Sequence, residues 1–165
     1  MENFWNGKKK LEIGYKEGKF HGNCAEFFET GTPKFAIDYV DGELHGKSLK
    51  YDENGSGKLR QETDYVKSVI HGQLKKFDPI GQKSSIIDYA EGKEHGKSLK
   101  FDTDGRIEED IEYKEGHYHG KYLNYHPGES KDNKKPLQVK EDTDYINGNK
   151  HGEAKEYAAN GTLIV

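Results

Sequence analysis

The chain has 165 residues, of which 34% are charged and 31% hydrophobic, and its formal net charge at pH 7 is -4. So low an apolar fraction argues against a compact two-layer core, and the acidic balance provides no basic stripe for nucleic acid. A single cysteine, Cys24, excludes an intramolecular disulfide framework and a cysteine-based zinc site. Disorder is disfavoured because aromatic residues make up 12% of the chain and recur in register.

The motif Tyr-x-x-Gly-x-x-His-Gly first occurs at residues 15–22 and then recurs along the whole chain. Its His-Gly steps lie 24, 26, 24, 24 and 32 residues apart, and a fixed period of this length indicates a repeat architecture. Residues 4–15 have the pattern of a half repeat. The motif residues are Tyr15, Gly18, His21, Gly22, Tyr39, Gly42, His45, Gly46, Tyr65, His71, Gly72, Tyr89, Gly92, His95, Gly96, Tyr113, Gly116, His119, Gly120, Tyr145, Gly148, His151 and Gly152.

Each repeat reads as two strands. In the second repeat, residues 35–39 alternate apolar and polar side chains, and residues 46–51 do the same. Alternation of this kind is typical of half-buried antiparallel strands. The sequence therefore predicts an all-β fold, an elongated single-layer antiparallel β-meander of about six 24-residue hairpin repeats, forming one domain over residues 1–165 with repeats starting near each motif tyrosine.

The glycines predict the turns. Asn54-Gly55, Asp104-Gly105 and Asn160-Gly161 suit tight hairpins that need positive φ, and we expect a turn to explain every other glycine as well. Ser68 stands where the other motif copies have glycine, so we expect that turn to differ. The third repeat is two residues longer than the standard 24, and residues 55–58 are predicted to bulge.

The fifth repeat is extended by a polar insertion at about residues 126–136. Insertions in repeat arrays map to loops, often on the binding side, although loops also lengthen at little cost and the insertion can be neutral. The loop supplies four candidate partner-binding residues: His126, Lys131, Lys134 and Lys135.

An acidic residue precedes five of the motif tyrosines, and lysines lie on the intervening strands. One interpretation is a solvated face with cross-strand ion pairs, and the other is a polar face that binds a charged protein. The aromatic residues are expected to form a ladder that packs on one face of the sheet. Some of them can also contact a partner, and Tyr51 and Tyr125 are the candidates. The acidic candidates are Asp38, Asp64, Asp88, Glu112 and Asp144.

The histidines do not suggest chemistry. Equivalent residues one hairpin apart lie about 10 Å from each other, too far to share one metal ion, and only the fifth repeat adds further histidines, at His117 and His126. We expect the motif histidines to pack over the turns and to hydrogen-bond the backbone. With no nucleophile or phosphate-binding motif, we predict a protein that is not an enzyme, with no catalytic residue, metal or cofactor.

The sequence also leads to expectations about cellular location and self-association. No apolar run approaches the ~18 residues of a membrane-spanning helix, and the first residues lack a signal core, so we expect a soluble cytoplasmic protein. The apolar segment 163–165 is expected either to be covered or to mediate edge-to-edge self-association.

The motif resembles the MORN repeat, and residues 88–101 are a good single copy. The closer similarity is to the bacterial variant of this repeat, a group that includes YwqK-like antitoxins. The resemblance implies a protein-binding module without catalytic residues, an antitoxin or immunity protein whose toxin or effector is encoded nearby. The alternative it implies is a structural scaffold or a peripheral lipid-contacting module.

Overall fold

The computed structural model describes residues 1–128 and 137–165, and it divides into two compact units, Met1–Gly81 and Gln82–Val165. Every regular element in the described ranges is a β-strand, and paired strands run antiparallel in both units. The predicted all-β meander is confirmed.

In the first unit, strands that follow one another in the chain are neighbours, apart from a small separate hairpin formed by β3 and β4. The strands are β1 (Glu2–Asn3), β2 (Lys9–Glu12), β3 (Tyr15–Lys16), β4 (Lys19–Phe20), β5 (Gly22–Phe27), β6 (Pro33–Val40), β7 (Glu43–Tyr51), β8 (Leu59–Val66) and β9 (Val69–Phe77). In the second unit the neighbours are again consecutive. The strands are β10 (Lys83–Ala90), β11 (Lys93–Phe101), β12 (Ile107–Lys114), β13 (His117–Tyr125), β14 (Val139–Ile146) and β15 (Asn149–Glu156).

The turn inside each motif is a two-residue hairpin loop in which both residues have positive φ. Asp41 and Gly42 have φ of 51° and 91°, and Glu115 and Gly116 have φ of 52° and 83°. Two positive φ angles are typical of the type I′ turn, whose twist matches that of the flanking strands. The glycine at the second position is therefore needed for its left-handed conformation.

Ser68 adopts the same turn as the glycines, and the expectation that this turn would differ is wrong. Lys67 and Ser68 have φ of 48° and 64°. The Ser68 N–H donates to the Leu44 carbonyl at 2.8 Å, as the equivalent Gly116 N–H does to the Glu94 carbonyl at 2.9 Å. The Ser68 Oγ also accepts from the Leu44 N–H at 3.1 Å, a bond that glycine cannot make and that offsets part of the backbone strain.

Ser68→Ala is expected to lower the free energy of unfolding by about 0.5–1 kcal/mol, because it keeps the positive φ and removes the bond to Leu44. Ser68→Gly is the control, since it loses the same bond but relieves the backbone strain. Urea unfolding followed by circular dichroism should give a lower free energy of unfolding for the alanine variant than for the glycine variant. The reverse order would show that backbone strain carries no weight at this position, and an alanine variant as stable as the unaltered chain would show that the hydroxyl contributes nothing.

The glycine of each His-Gly step does not lie in a turn, which corrects the sequence-based expectation. Apart from Gly22, which begins β5, it lies inside the second strand of the hairpin, at a bulge where the pairing register shifts. Across β10 and β11, for example, Ile87 pairs with Ser98 and Tyr89 pairs with Glu94, so that Asp88 faces three residues. Gly96, in the middle of these three, has a φ of 104°.

The motif carboxylate completes this bulge. The Lys97 N–H donates to Asp88 Oδ2 at 3.0 Å, and the Gln73 N–H donates to Asp64 Oδ2 at 3.0 Å. The extra residues of a bulge interrupt the backbone ladder, and the carboxylate accepts one of the displaced donors. The acidic residue and the glycine of the motif thus form one structural device.

The aromatic residues occupy both faces of the sheet in each unit, and the prediction of a ladder on one face is wrong. Residues that pair across two strands share a face of the sheet. Tyr39 and Ile37 therefore lie on one face, whereas Asp38, Leu49 and Tyr51 lie on the other. We call the face that bears Asp38, Asp64, Asp88, Glu112 and Asp144 the carboxylate face. We call the face that bears Tyr39, Tyr65, Tyr89, Tyr113 and Tyr145 the tyrosine face.

The best-buried residues lie in the middle of the strands. Thr63 and Thr143 are each 1% exposed, and Ile111, at the equivalent position, is 6% exposed. All three are on the tyrosine face, two residues before a motif tyrosine. The core is therefore a thin line of small and medium side chains rather than a layer of large ones, as the low apolar fraction requires.

The turns at the opposite end of the hairpins vary in length. The Asp102 N–H donates to the Arg106 carbonyl at 2.9 Å, and the Asp52 N–H donates to the Lys58 carbonyl at 2.8 Å, across a turn two residues longer. The extra length predicted near residues 55–58 is confirmed. In the fifth repeat the corresponding bond joins the His126 N–H to the Gln138 carbonyl at 2.8 Å, so the insertion expands this turn.

The C-terminal segment is paired but not covered. The Ile164 N–H donates to the Glu156 carbonyl at 2.7 Å, and Leu163 bridges to Tyr157. The side chains of Leu163, Ile164 and Val165 remain 55%, 64% and 72% exposed. Edge-to-edge self-association through this segment stays a prediction.

Candidate protein-binding surfaces

A lysine follows three of the His-Gly glycines, Gly46, Gly96 and Gly120, and connects carboxylates on the next strand. Lys47 Nζ lies 2.6 Å from Glu62 Oε1 and 3.0 Å from Asp64 Oδ1. The same arrangement recurs in the second unit, where Lys97 lies 2.9 Å from Asp110 and 3.5 Å from Glu112, and Lys121 lies 2.7 Å from Asp142 and 3.2 Å from Asp144. Asn23 takes the place of the lysine in the first repeat and donates to Asp38 at 3.1 Å.

These ion pairs shift the pKa values of their members. The hydrogen bond from Lys47 lowers the pKa of Glu62, and the hydrogen bond with Glu62 raises the pKa of Lys47. Burial alone would raise the pKa of Asp64, but the bonds from the Gln73 N–H and from Lys47 outweigh it and hold that pKa below its ordinary value. The acidic candidates are therefore engaged within the chain, which favours the cross-strand interpretation of the carboxylate face.

We expect the stability of the chain to fall in acid. Glu62 and Asp64 have lowered pKa values in the fold, so their contribution is fully present above the ordinary carboxylate pKa near 4 and is lost as pH falls through the lower folded values. The urea midpoint should stay level from about pH 7 to about pH 5 and decline below about pH 4. Lys47→Met should make that decline shallower. Parallel declines of the two proteins would contradict the assignment to this cluster.

The other candidate partner-binding residues are spread over the carboxylate face and the expanded turn. Tyr51 and Tyr125 are half-buried at equivalent positions of β7 and β13, and burial, followed by the charge of Asp110, raises the pKa of Tyr125. His126 Nε2 lies 2.7 Å from the Tyr157 carbonyl, so this ring ties the expanded turn to the chain beyond β15. Lys131, Lys134 and Lys135 lie outside the described residues.

The motif histidines match their predicted role only in part, at His21. His21 lies half-buried, with its Nδ1 3.4 Å from the Asp41 N–H and 3.4 Å from Asp41 Oδ1. His45, His95 and His151 are exposed rather than packed over a turn. Within residues 1–128 and 137–165, no group of three or more His, Cys, Asp or Glu side chains is placed to hold a metal ion.

Four tyrosines form a cluster on the tyrosine face of the second unit, and the sequence did not single it out. The ring centroids of Tyr113 and Tyr118 are 5.0 Å apart at 81°, and those of Tyr118 and Tyr145 are 5.2 Å apart at 84°. Tyr122 lies 6.0 Å from Tyr118 and 6.1 Å from Tyr145. Near-perpendicular rings at these distances are a favourable aromatic arrangement. We call Tyr113, Tyr118, Tyr122 and Tyr145 the tyrosine cluster.

Two members of the tyrosine cluster are departures from the repeat. Tyr118 pairs across the hairpin with the motif residue Tyr113, at a position where the other repeats have Phe20, Leu44, Ile70, Glu94 and Lys150. Tyr122 occupies the centre of its strand, where the others have Cys24, Ser48, Leu74, Ser98 and Ala154. An excess of tyrosine in the fifth repeat was the sequence signal that could have located the cluster.

Carboxylates adjoin the tyrosine cluster. Burial raises the pKa of Tyr122, and the charges of Glu109 and Glu141 raise it further. Burial, a hydrogen bond with Tyr118 and the charges of Glu94 and Glu109 raise the pKa of Tyr113. The hydroxyls of Tyr113 and Tyr122 therefore stay neutral, and the charges that act on them are negative.

The part of the chain that the structure describes contains no helix long and apolar enough to cross a membrane. Among solved structures, the crystal structure of TarM is similar at 16% sequence identity and a TM-score of 0.40. That alignment covers 66% of this chain and 19% of the TarM chain, so the chain spans about a fifth of the length of that protein. No curated protein matches the chain.

The family model described as the MORN repeat variant matches residues 150–165. This segment contains the His151-Gly152 step, and Gly152 has a φ of 76°. The same step recurs upstream with positive φ at each glycine, in Gly22, Gly46, Gly72, Gly96 and Gly120. The matched segment holds the His-Gly end of a motif whose sequence and backbone conformation repeat along the described chain, so the similarity to the MORN repeat variant extends to a feature present in every repeat.

Proposed function

We propose that this chain is a bacterial antitoxin or immunity protein, which binds and neutralises a toxin in the cytoplasm. The repeat itself supports the coarser part, a repeat-containing binding module. The finer part is supported by the resemblance to the YwqK-like group and by a sheet whose polar face is largely satisfied by its own ion pairs. Binding by such a chain needs neither a cofactor nor a catalytic residue.

The observation that carries the proposal is the concentration of irregular features in the fifth repeat. The regular positions are occupied by the structural device of bulge, carboxylate and lysine. The fifth repeat adds two tyrosines, at Tyr118 and Tyr122, and expands the turn between His126 and Gln138. Features that exceed what the fold requires are the natural place for partner-specific contacts.

The test is affinity capture of the tagged chain from its source organism, read by mass spectrometry. We expect one stoichiometric protein, encoded beside this chain and toxic when it is expressed alone. Flotation with anionic liposomes is the parallel measurement, and we expect the chain to stay at the bottom of the gradient. Capture of no protein together with flotation would replace the proposal with a lipid-contacting module.

The expanded turn is tested by deletion. Replacing residues 128–135 with a short turn is expected to weaken binding of the captured partner by about tenfold or more, since each buried contact residue contributes about 1 kcal/mol. Isothermal titration measures the affinity, and circular dichroism checks the fold. An unchanged affinity in a folded variant would remove the turn from the binding surface.

A further inference from the structure

The tyrosine cluster has properties that packing alone does not explain. All four rings are only half-buried, and two of them, Tyr118 and Tyr122, occupy positions where the flanking fourth and sixth repeats have no aromatic residue. Ser48 and Ser98 stand at the position of Tyr122, so the fold of a repeat does not need an aromatic ring there. The fifth repeat therefore presents aromatic surface to solvent that its neighbours do not.

The charges around the cluster are predominantly negative. Glu109 and Glu141 both pair across the sheet with Asn124, which lies two residues after Tyr122 in β13 and on the same face. Glu156 in turn pairs with Glu141. Glu94 acts on Tyr113. The nearby cations are Lys150, which lies 3.6 Å from Glu141, and Lys100, which pairs with Glu109. These four glutamates outnumber the two lysines.

We propose that the tyrosine cluster is the docking site for an arginine side chain of a protein partner. This inference rests on the proposed function and deepens it, because it states the chemistry by which the partner is recognised. The faces of tyrosine rings attract cations, and the surrounding glutamates add to that attraction.

Arginine fits the cluster better than lysine does. Its guanidinium group is planar, so it can stack on one tyrosine ring while its N–H groups donate to carboxylates or hydroxyls at the edge. Glu109 and Glu141 flank Asn124 on opposite sides and on the same face as Tyr122. A lysine from the chain itself, Lys150, already pairs across the hairpin with Tyr145, which indicates that the margin of the cluster accepts a cation.

The probe is an acetylated and amidated peptide, Gly-Arg-Gly-Arg-Gly, and its matched control contains citrulline, which has the shape of arginine without the charge. The full chain is titrated with each peptide, and the ring resonances of the tyrosines are followed by NMR. We expect the arginine peptide to shift the resonances of the tyrosine cluster and to bind at least about tenfold more tightly than the citrulline peptide.

The variants are taken from the other repeats, so that their fold has a precedent in the chain. Tyr118→Leu and Tyr122→Ser install the residues found at Leu44 and Ser48, and the double variant is expected to bind the arginine peptide about tenfold more weakly. Tyr65→Phe, on the tyrosine face of the first unit, is the control and should bind as the unaltered chain does. Circular dichroism verifies the fold of each variant.

Three results would overturn the proposal: equal binding of the two peptides, shifts confined to tyrosines outside the cluster, or undiminished binding by the folded double variant. Shifts caused by phosphatidylcholine vesicles but not by the arginine peptide would overturn it as well. Affinity capture separates the two proposals, since a partner retained equally by the double variant would refute only the arginine site. If neither the unaltered chain nor the double variant captured a partner protein, the proposed function would be refuted.

Discussion

Gly96→Ala is expected to be among the most damaging single substitutions in this chain, and to lower the free energy of unfolding by about 2–3 kcal/mol. Two effects combine at this bulge. The backbone has a φ of 104°, which disfavours any side chain, and an added Cβ would lie 3.0 Å from Asp88 Oδ2 and 3.1 Å from Asp88 Cβ. Urea unfolding followed by circular dichroism measures the loss.

Gly81→Ala is the matched control. Gly81 has a similar φ of 96°, but nothing lies within 4 Å of the position that a Cβ would take. We expect this variant to lose only the strain contribution, about 1–2 kcal/mol. If the two variants lost the same amount, the close approach of the carboxylate to the bulge would have no energetic weight.

Arg106→Ala is the second change with a large expected effect, a loss of about 3 kcal/mol or more. The side chain is 7% exposed, and its Nε and a terminal nitrogen lie 2.9 Å from Asp102 Oδ2. A terminal nitrogen also lies 2.6 Å from Asp104 Oδ2 and 3.4 Å from the Gly128 carbonyl. Truncation would leave the Asp102 carboxylate part-buried without its cation, and a buried charge that loses its partner is costly.

Lys58→Ala provides the comparison for Arg106. Lys58 closes the longer turn that begins at Asp52, but its ammonium group is exposed and donates to the Pro79 carbonyl at 3.0 Å. Its loss should cost less than about 0.5 kcal/mol. Similar losses for the two variants in urea unfolding would show that burial of Arg106 adds nothing.

The period of the sequence predicted the hairpins because a two-residue turn leaves a clear local signal. Gly42 and Gly116 mark loops whose two residues both need positive φ, and the alternation on either side defines the strands. Ser68 was misread because the steric rule considers only the backbone, whereas the bond from Leu44 comes from a hairpin one repeat away.

The bulge and the faces were harder to predict. A glycine inside a strand looks the same in sequence as a glycine in a turn, and only the register shows that Asp88 faces three residues. The bulge also decides which aromatics share a face, so Tyr39 and Tyr51 could not be assigned from alternation within single strands. The burial of Arg106 and the arrangement of the tyrosine cluster depend on contacts between different strands and turns. Such contacts are not visible in a pattern that is common to all repeats.

We propose that this chain binds and neutralises a toxic protein, and growth rescue tests that proposal most directly. The partner obtained by affinity capture is expressed in a bacterial host from one promoter and this chain from another. The account predicts that the partner alone arrests growth, and that growth returns when this chain is expressed with it and the two purify as a complex. Growth arrest that persists although the two proteins form a complex would contradict it.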